Sequence, residues 1–407
     1  MHLSLRRKQL LQIYNHALQA VHGRQSVARY LRQHQVFDKT PALIAIGKAA
    51  PAMVLGTLDV FKQIPRGLLI TKQGLLTQTF SQNIICIESG HPIPNQHSIE
   101  AGKQLIDFIK NIPVDTPILC LISGGASALV EVLAEGVTLA NLQRVNQYLL
   151  SSGLDIQQMN AVRQQLSCIK GGQLTNYFRP QHKVLSLYIS DVPNDDLSVI
   201  GSGLLVAAEP LTELHTIQQI FTTLNITLPV KKTNKQKLII EHHIVASSRI
   251  ARLAALQMAQ QLNIQPIHYN EDLLLGDVFE AADSIMQQLK QRKGLFIYSS
   301  ETTVQLPEKI GKGGRCQTLA LAIAQRIANN EQYCVLAGST DGNDGSHFVA
   351  GALVDGQTLH RGKMLGLDAD NYLQRADAGV FLNHTGDLID TGETGTNVMD
   401  LILAWRE

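Results

Sequence analysis

The stretch 116–130 sets the tightest limit on what this chain can become. A run of strand-forming apolar residues, Ile118 to Ile122, ends abruptly at Ser123-Gly124-Gly125, and a helix-compatible segment from Ala126 to Glu131 follows at once. A strand that gives way to a helix across two glycines is the βα turn of an α/β sheet. The glycines allow a tight turn without Cβ clashes and let a ligand approach the backbone. Two readings fit the turn. The start of the helix, with its unpaired amides and the hydroxyls of Ser123 and Ser127, makes a seat for phosphate or carboxylate. Equally, it is an ordinary turn in which Ser123 or Ser127 caps the helix.

The alternation continues on both sides. Strand patterns stand at 41–46, 67–71, 84–88 and 184–189, with a helical pattern at 159–172. Beyond them, strand patterns at 238–246, 266–269, 294–298, 333–337 and 351–354 are interleaved with helical ones at 248–262, 278–292 and 318–328. This predicts an α/β fold with mainly parallel or mixed sheets flanked by helices. A chain of 407 residues exceeds the usual size of one core, so two domains are expected. The polar, basic stretch 228–235 reads as a linker, which places an N-terminal Rossmann-like domain at 1–232 and a C-terminal domain at 233–407. Leu10, Leu11, Tyr14, Leu18 and Val21 make the opening segment an amphipathic docking helix, with Arg6-Arg7 as its solvated start. The segment 398–405 reads as a terminal helix.

Charge narrows the partners. A formal net charge of +1 gives no global field for nucleic acid or an acidic membrane, so an anion has to be held by local geometry. No run approaches the ~18 apolar residues of a membrane helix. The N-terminus is charged from Arg6 and does not read as a signal peptide. The cysteines are scattered without a CxxC pair, and Cys86, Cys120 and Cys334 lie inside apolar strand patterns. A reducing, cytoplasmic setting is expected.

Several polar loops interrupt the pattern. Lys48 follows Gly47 at a strand–helix junction, where a lysine can reach a phosphate as a point charge; as a lone Gly-Lys it also fits an exposed lysine near a helix start. It is not a Walker A loop, since no Ser or Thr follows. His91 sits in a rigid Ser-Gly-His-Pro-Ile-Pro-Asn loop and fits either a ligand contact or a loop brace. Helical spacing places Asn160, Arg163, Ser167 and Lys170 on one face with two cations and no acid, which fits a solvated face or an anion-facing one. Asp191, Asp195 and Asp196 crowd a strand end, where open α/β sheets bind ligands. Three acids so close need a counter-cation such as Mg²⁺, or one acts as a base, while one fits a capping Asx turn. In the second half, 311–315 (GKGGR) precedes a helix, 339–345 (STDGNDG) resembles an incomplete calcium loop, and 391–397 (TGETGTN) is rich in Gly and Thr. Together these three loops point to a shared cleft. Other matches fail: Ser167-Cys168-Ile169-Lys170 lacks the partner motifs of SxxK enzymes, and His242-His243 in a strand points its rings to opposite faces.

Read together, AIGKAAPAM (45–53), SGHPIPN (89–95), ISGGASAL (122–129), MNAVRQQLSCIKGGQL (159–174), ISDVPNDDLSVIGSG (189–203), GKGGR (311–315), STDGNDG (339–345) and DTGETGTNVMDL (390–401) resemble the glycerate 2-kinase family, in the family's order and over essentially the whole chain. The resemblance implies an N-terminal α/β domain, a C-terminal domain of the MOFRL type and a cleft between them. It implies ATP-dependent phosphorylation of D-glycerate to 2-phosphoglycerate with Mg²⁺, so the expected partners are D-glycerate and ATP, and a homo-oligomer is compatible with the pattern. Lys48, Asp191 and Arg315 match the family's active-site lysine, aspartate and arginine. Ser123, Gly124, Gly125, Ser127, Arg163, Lys170 and Asn397 are then the candidates for phosphate or substrate binding, and Asp191, Asp195 and Asp341 for metal. The chain departs from the family at Ser299-Ser300-Glu301, where Gly-Gly-Glu is usual, at Cys316-Gln317-Thr318 in place of Asn-Gln-Glu, and at Ser346-His347-Phe348-Val349 in place of Pro-Thr-Asp-Ala. Two rivals are an NAD(P)-dependent hydroxypyruvate reductase, for which no GxGxxG unit is found, and a glycerate-binding protein without turnover.

Overall fold

Strands that are apolar on both faces need helices above and below them, and the first half of the chain supplies both. The computed structural model describes residues 2–154, 156–207, 214–227, 229, 238–345 and 349–407. Two helices open it, α1 (His2–Val21) and α2 (Gly23–His34), followed by β1 (Ala42–Ile46), α3 (Ala50–Phe61), β2 (Gly67–Lys72), β3 (Ile84–Ser89) and α4 (Gln96–Lys110). Next come β4 (Ile118–Ile122), the four-residue α5 (Ala126–Leu129), α6 (Leu139–Ser151), α7 (Ile156–Gln165), β5 (Val184–Ile189), α8 (Leu214–Thr223) and β6 (Ile240–Ala246). The remainder is α9 (Ser248–Gln261), β7 (Ile267–Asp277), α10 (Val278–Gln291), β8 (Gly294–Thr303), α11 (Arg315–Arg326), β9 (Tyr333–Ser339) and β10 (Gly351–Asp355). Three short helices, α12 (Thr358–Met364), α13 (Ala369–Gln374) and α14 (Ala378–His384), precede β11 (Leu388–Ile389) and β12 (Asp400–Arg406).

The chain forms two compact units, Gly23–Val245 and Met1–His22 with Ala246–Glu407. The division therefore falls at Val245/Ala246 rather than at 232/233, because β6 joins the first sheet beside β5. The linker expected at 228–235 lies outside the described residues apart from Pro229. Helix α1 packs on α9 and β9 of the second unit through Leu10, Ile13, Tyr14, Ala17, Leu18 and Val21, as its amphipathic pattern demands. Its start is not solvated. Arg6 is buried and donates to the carbonyl of Gln332 at 2.5 Å, and Arg7 bridges Asp355 at 2.6 Å and Asp387 at 3.0 Å.

In the first unit the strand order is β3-β2-β1-β4-β5-β6, with β3, β2, β1, β4 and β5 mutually parallel. β1, β4 and β5 are buried along their whole length, as their unbroken apolar sequences require. Cys86 is an exception among the expected buried cysteines, lying exposed on the outer strand β3. The second sheet, β11-β10-β9-β12-β8-β7, is mixed rather than mainly parallel: only β7 and β8 run parallel, and the remaining neighbours are antiparallel. The expected terminal helix at 398–405 is instead β12, set between β8 and β9. An unbroken apolar run such as Leu401–Trp405 suits a strand covered on both faces as well as it suits a helix.

The helix expected over 159–172 ends at Gln165. From there the chain turns back: the amide of Ala134 donates to the Leu166 carbonyl at 2.9 Å and that of Cys168 to the Val132 carbonyl at 2.7 Å. Ser167 and Lys170 therefore leave the face that carries Asn160 and Arg163.

Candidate active site

In a parallel sheet of order 3-2-1-4-5-6, the chain leaves β1 and β4 in opposite directions, so their carboxyl ends flank a crevice that the fold itself creates. Register carries the candidate residues there. Ile46 pairs with Ile122 and Ile122 with Tyr188, so Lys48, Gly124 and Ser190 leave the sheet at one level, with Asp191 one residue beyond. The two turns are bonded to each other: the Lys48 amide donates to the Gly124 carbonyl at 2.9 Å, and the Ala49 amide to Ser123 Oγ at 3.1 Å. Gly47 lies so close to Ser123 that a side chain at 47 would collide with its backbone. Ser123 is fully buried, and its hydroxyl accepts from the Ala49 amide just ahead of α3; α5, the helix it was expected to cap, has no side-chain cap.

Gly125 takes φ +85°, a conformation open to glycine, and starts α5. A helix of four residues sums too few peptide dipoles to act as a macrodipole, so the expectation of an anion seat here falls on the turn alone. Among the described residues, the amides of Gly124, Gly125, Ala126 and Ser127 have no hydrogen-bond acceptor within the protein. A Cβ on Gly125 would stand 3.0 Å from His91 Cδ2, 3.1 Å from His91 Nε2 and 3.2 Å from Lys48 Cγ. The lysine and the histidine therefore share the glycine turn as their floor.

Ser127, Asn160 and Arg163 join the same region through a chain of hydrogen bonds. Ser127 Oγ lies 2.8 Å from Ser202 Oγ, which donates to Asn160 Oδ1 at 3.0 Å. Arg163 donates through Nη1 to that same oxygen at 3.4 Å and through Nε to Asn146 Oδ1 at 2.9 Å. No carboxylate meets Arg163 among the described residues, and burial lowers its pKa. Lys170 is different. It is buried against Glu131, Nζ to Oε2 at 2.5 Å, while Ser167 donates to the other carboxylate oxygen at 2.5 Å. The acid that the helical face seemed to lack is supplied by a residue distant in sequence, and Lys170 is neutralised inside the fold instead of facing an anion. Of the three strand-end acids, Asp196 makes the Asx turn, accepting from the amide and hydroxyl of Ser198 at 2.9 and 2.7 Å.

In the second unit the three polar loops converge. Thr340 staples two of them: its Oγ1 donates to the Met399 carbonyl at 2.6 Å and accepts from the Val398 amide at 2.8 Å, and its carbonyl accepts from Thr394 Oγ1 at 2.5 Å. Gly342 touches the carbonyl of Gly392. Asn397 lies within this stapled loop and is half-buried. The third loop is held by Asp344, whose carboxylate accepts from the amides of Cys316 at 3.1 Å and Gln317 at 2.8 Å and from Gln317 Nε2 at 2.9 Å. The anion seat expected at the start of α11 is thus filled by the protein's own aspartate.

Arg315 does hold a carboxylate, again the protein's own. Its Nε and Nη2 fork Asp400 at 2.7 and 3.1 Å, and Nη1 reaches Glu301 at 2.5 Å. Burial alone would lower the Arg315 pKa, but Asp400 and Glu301 outweigh it and raise it. Asp400 is raised by burial, partly offset by Arg315. Asp344 is pushed up to about 7 by burial and by repulsion from Asp400, against the hydrogen bonds it accepts. Sequence reasoning did not single out Asp344, Glu301 or Asp400. Asp400 lies on β12, the strand that replaces the expected helix at 398–405, where it pairs with Ser300 and Ser339.

For metal, Asp341 accepts from Ser339 Oγ at 2.8 Å and the Asn343 amide at 2.9 Å, the local pattern of an Asx turn. Among the described residues no three His, Cys, Asp or Glu side chains form a ready cation cage, so Asp191, Asp195 and Asp341 are not a preformed ligand set. Mg²⁺ seldom needs one: it keeps several waters and uses one or two carboxylates plus substrate phosphates.

A Rossmann-order sheet with a lysine over a bare glycine turn at its switch point, joined in one chain to a mixed α/β unit of polar loops, defines a two-unit enzyme of phosphate-ester chemistry. The chain belongs to the glycerate 2-kinase family. Residues 9–238 match a family model described as a domain of unknown function, DUF4147, and residues 294–400 match the MOFRL family. A D-glycerate 2-kinase of Thermotoga maritima is 32% identical over 89% of each chain, and a glycerate 2-kinase of Pyrococcus horikoshii is 32% identical over 89% of this chain and 86% of that protein. A protein of Agrobacterium vitis named putative hydroxypyruvate reductase is 33% identical over 88% of this chain and 97% of that protein. The crystal structure of a Thermotoga maritima glycerate kinase superposes with a TM-score of 0.86 at 29% identity, covering 99% of this chain and all of that one.

Proposed function

We propose that this protein is an ATP-dependent glycerate 2-kinase, transferring the γ-phosphoryl group of ATP to the 2-hydroxyl of D-glycerate. The observation that supports this reading best is Lys48 bonded through its backbone to the glycine turn at the switch point, beside unclaimed amides. Phosphoryl transfer asks little covalent chemistry of a protein; it asks for positioning and for neutralisation of charge spreading over the phosphoryl oxygens. Lys48 and the amides of Gly124 to Ser127 supply positive charge and donors fixed before the reaction. Asp191 orients or deprotonates the acceptor hydroxyl, and Arg163, which meets no carboxylate among the described residues, serves a substrate anion. Arg315 is assigned to the reaction by the family resemblance, with Asn397 as a binding group. Magnesium, when bound with ATP, screens the phosphate charge; Asp191, Asp195 and Asp341 are the carboxylates proposed to meet it.

Lys170 leaves this set, since its charge is spent on Glu131. The altered segment 346–349 lies outside the described residues except for Val349. All five cysteines are free, in keeping with the reducing, cytoplasmic setting proposed for the chain; no described helix is long and apolar enough to cross a membrane. The reductase reading fails on the β1 turn, where Gly47-Lys48-Ala49 stands in place of a dinucleotide fingerprint.

The test is a discontinuous assay with D-glycerate, ATP and Mg²⁺ that separates 2- from 3-phosphoglycerate, run beside NADH and NADPH oxidation with hydroxypyruvate. Formation of 2-phosphoglycerate without pyridine-nucleotide oxidation is expected. Oxidation of NADH or NADPH without phosphoglycerate would replace the kinase by the reductase.

A further inference from the structure

We infer that His91 is a further binding residue of this site, contacting together with Lys48 the oxyanion seated on the turn 124–127. The inference rests on the kinase reading above.

Its first support is where the imidazole stands. β3 is the outer strand of the sheet, three places from β4 in the order β3-β2-β1-β4. The chain after β4 leans back over the sheet, where α5 contacts β2. His91, two residues past the end of β3, brings its Cδ2–Nε2 edge against Gly125 on that turn, beside Lys48.

The second support is that the loop has tethers at several other residues. Asn95 and Ser98 form a capping box on α4, Ser98 Oγ lies 3.2 Å from Ser89 Oγ, and Gly90 packs directly on Asn95. The Ser98 carbonyl accepts from the Glu131 amide at 3.0 Å, which ties the same loop to the segment after α5. Gln143 Nε2 donates to the Pro94 carbonyl at 2.9 Å. Asn95, Ser98 and Gln143 thus brace the loop, and the half-buried His91 ring is placed beside the amides of the glycine turn. An imidazole there adds an N–H donor to an anion already facing Lys48, which suits either a phosphate oxygen or the acceptor's carboxylate.

The experiment compares wild type with His91→Ala and His91→Gln in two readouts. Steady-state kinetics vary D-glycerate and ATP separately. Thermal shifts are measured without ligand and with ATP, D-glycerate, 2-phosphoglycerate or inorganic phosphate. Loss of one hydrogen bond to a charged group predicts a fall in kcat/KM of about 10- to 100-fold for His91→Ala toward one cosubstrate. The other cosubstrate and the unliganded melting temperature should stay near wild type, and the thermal shift by the affected ligand should shrink. A change confined to ATP and inorganic phosphate identifies the oxyanion as phosphate, and a change confined to D-glycerate identifies it as carboxylate. Unchanged kinetics and ligand shifts would overturn the inference, as would a loss shared equally by all ligands and matched by a lower unliganded melting temperature, the mark of a brace. Should wild type show no turnover, the kinase reading falls, and the phosphate thermal shift still decides the role of His91.

Discussion

Arg315 is forked onto Asp400, Nε to Oδ2 at 2.7 Å and Nη2 to Oδ1 at 3.1 Å, so the candidate catalytic arginine is also the counter-charge of a fully buried acid. Its removal should therefore act twice. Arg315→Ala leaves Asp400 without its partner, a loss of ~3–5 kcal/mol for a fully buried pair; because Arg315 is 32% exposed, about 2–3 kcal/mol is expected in urea unfolding. Arg315→Lys keeps the charge but cannot fork, and should recover part of the stability and little of the activity. Full activity in the alanine variant would remove Arg315 from the mechanism.

Lys48 offers the opposite case. Its role is proposed to be electrostatic, and the bond that ties the two turns together is made by its backbone amide, which an alanine keeps. Lys48→Ala should lower kcat by about 100- to 1,000-fold, the usual cost of one preorganised group facing developing charge. The melting temperature should stay within about 2 °C of wild type. A variant that keeps wild-type kcat would place the phosphoryl seat elsewhere.

What could be read in the sequence was whatever is encoded locally. Ile118–Ile122 followed by Ser123-Gly124-Gly125 is a strand and a turn in any context, and Leu10, Tyr14, Leu18 and Val21 define a buried helix face on their own. What escaped was pairing across distance. Glu131 lies 39 residues before Lys170, and Asp400 lies 85 after Arg315, so no local window shows that these cations are already matched. The error over 398–405 has the same root, because an apolar run becomes a central strand only once β8 and β9 are there to flank it. His91 was visible as a residue, but its position against Gly125 depends on how the loop after β3 and the turn after β4 meet above the sheet.

Asp344 gives the unit a pH dependence. Its folded pKa of about 7 is above the ordinary 3.8, so the folded state prefers the neutral acid. That contribution to stability is complete below pH 4 and is lost as pH rises toward 7. The slope is at most one proton, about 1.4 kcal/mol per pH unit. Asp344→Asn cannot ionise, but it keeps only one acceptor oxygen, for either the Cys316 or the Gln317 amide, and so starts below wild type at low pH. Its melting temperature should gain on wild type from pH 5 to pH 7 and level off by pH 8. Parallel profiles across that range would mean that Asp344 ionises without penalty.

The pair of Lys170 and Glu131 separates a structural cation from a substrate-binding one. Both side chains are shut off from solvent, and Ser167 already satisfies the second carboxylate oxygen, so the cluster is complete without a ligand. Lys170→Met strands a carboxylate in the interior and should cost about 3–5 kcal/mol. Adding Glu131→Gln removes the uncompensated charge, so the double variant should be more stable than the single one. A sum of the two separate losses is not expected, because the groups touch. At a temperature where each variant is folded, KM for D-glycerate and for ATP should match wild type. If Lys170→Met instead raises either KM about tenfold or more while the double variant regains stability without regaining affinity, then Lys170 reaches a substrate in some state of the enzyme, and its pairing with Glu131 is what ligand binding has to break.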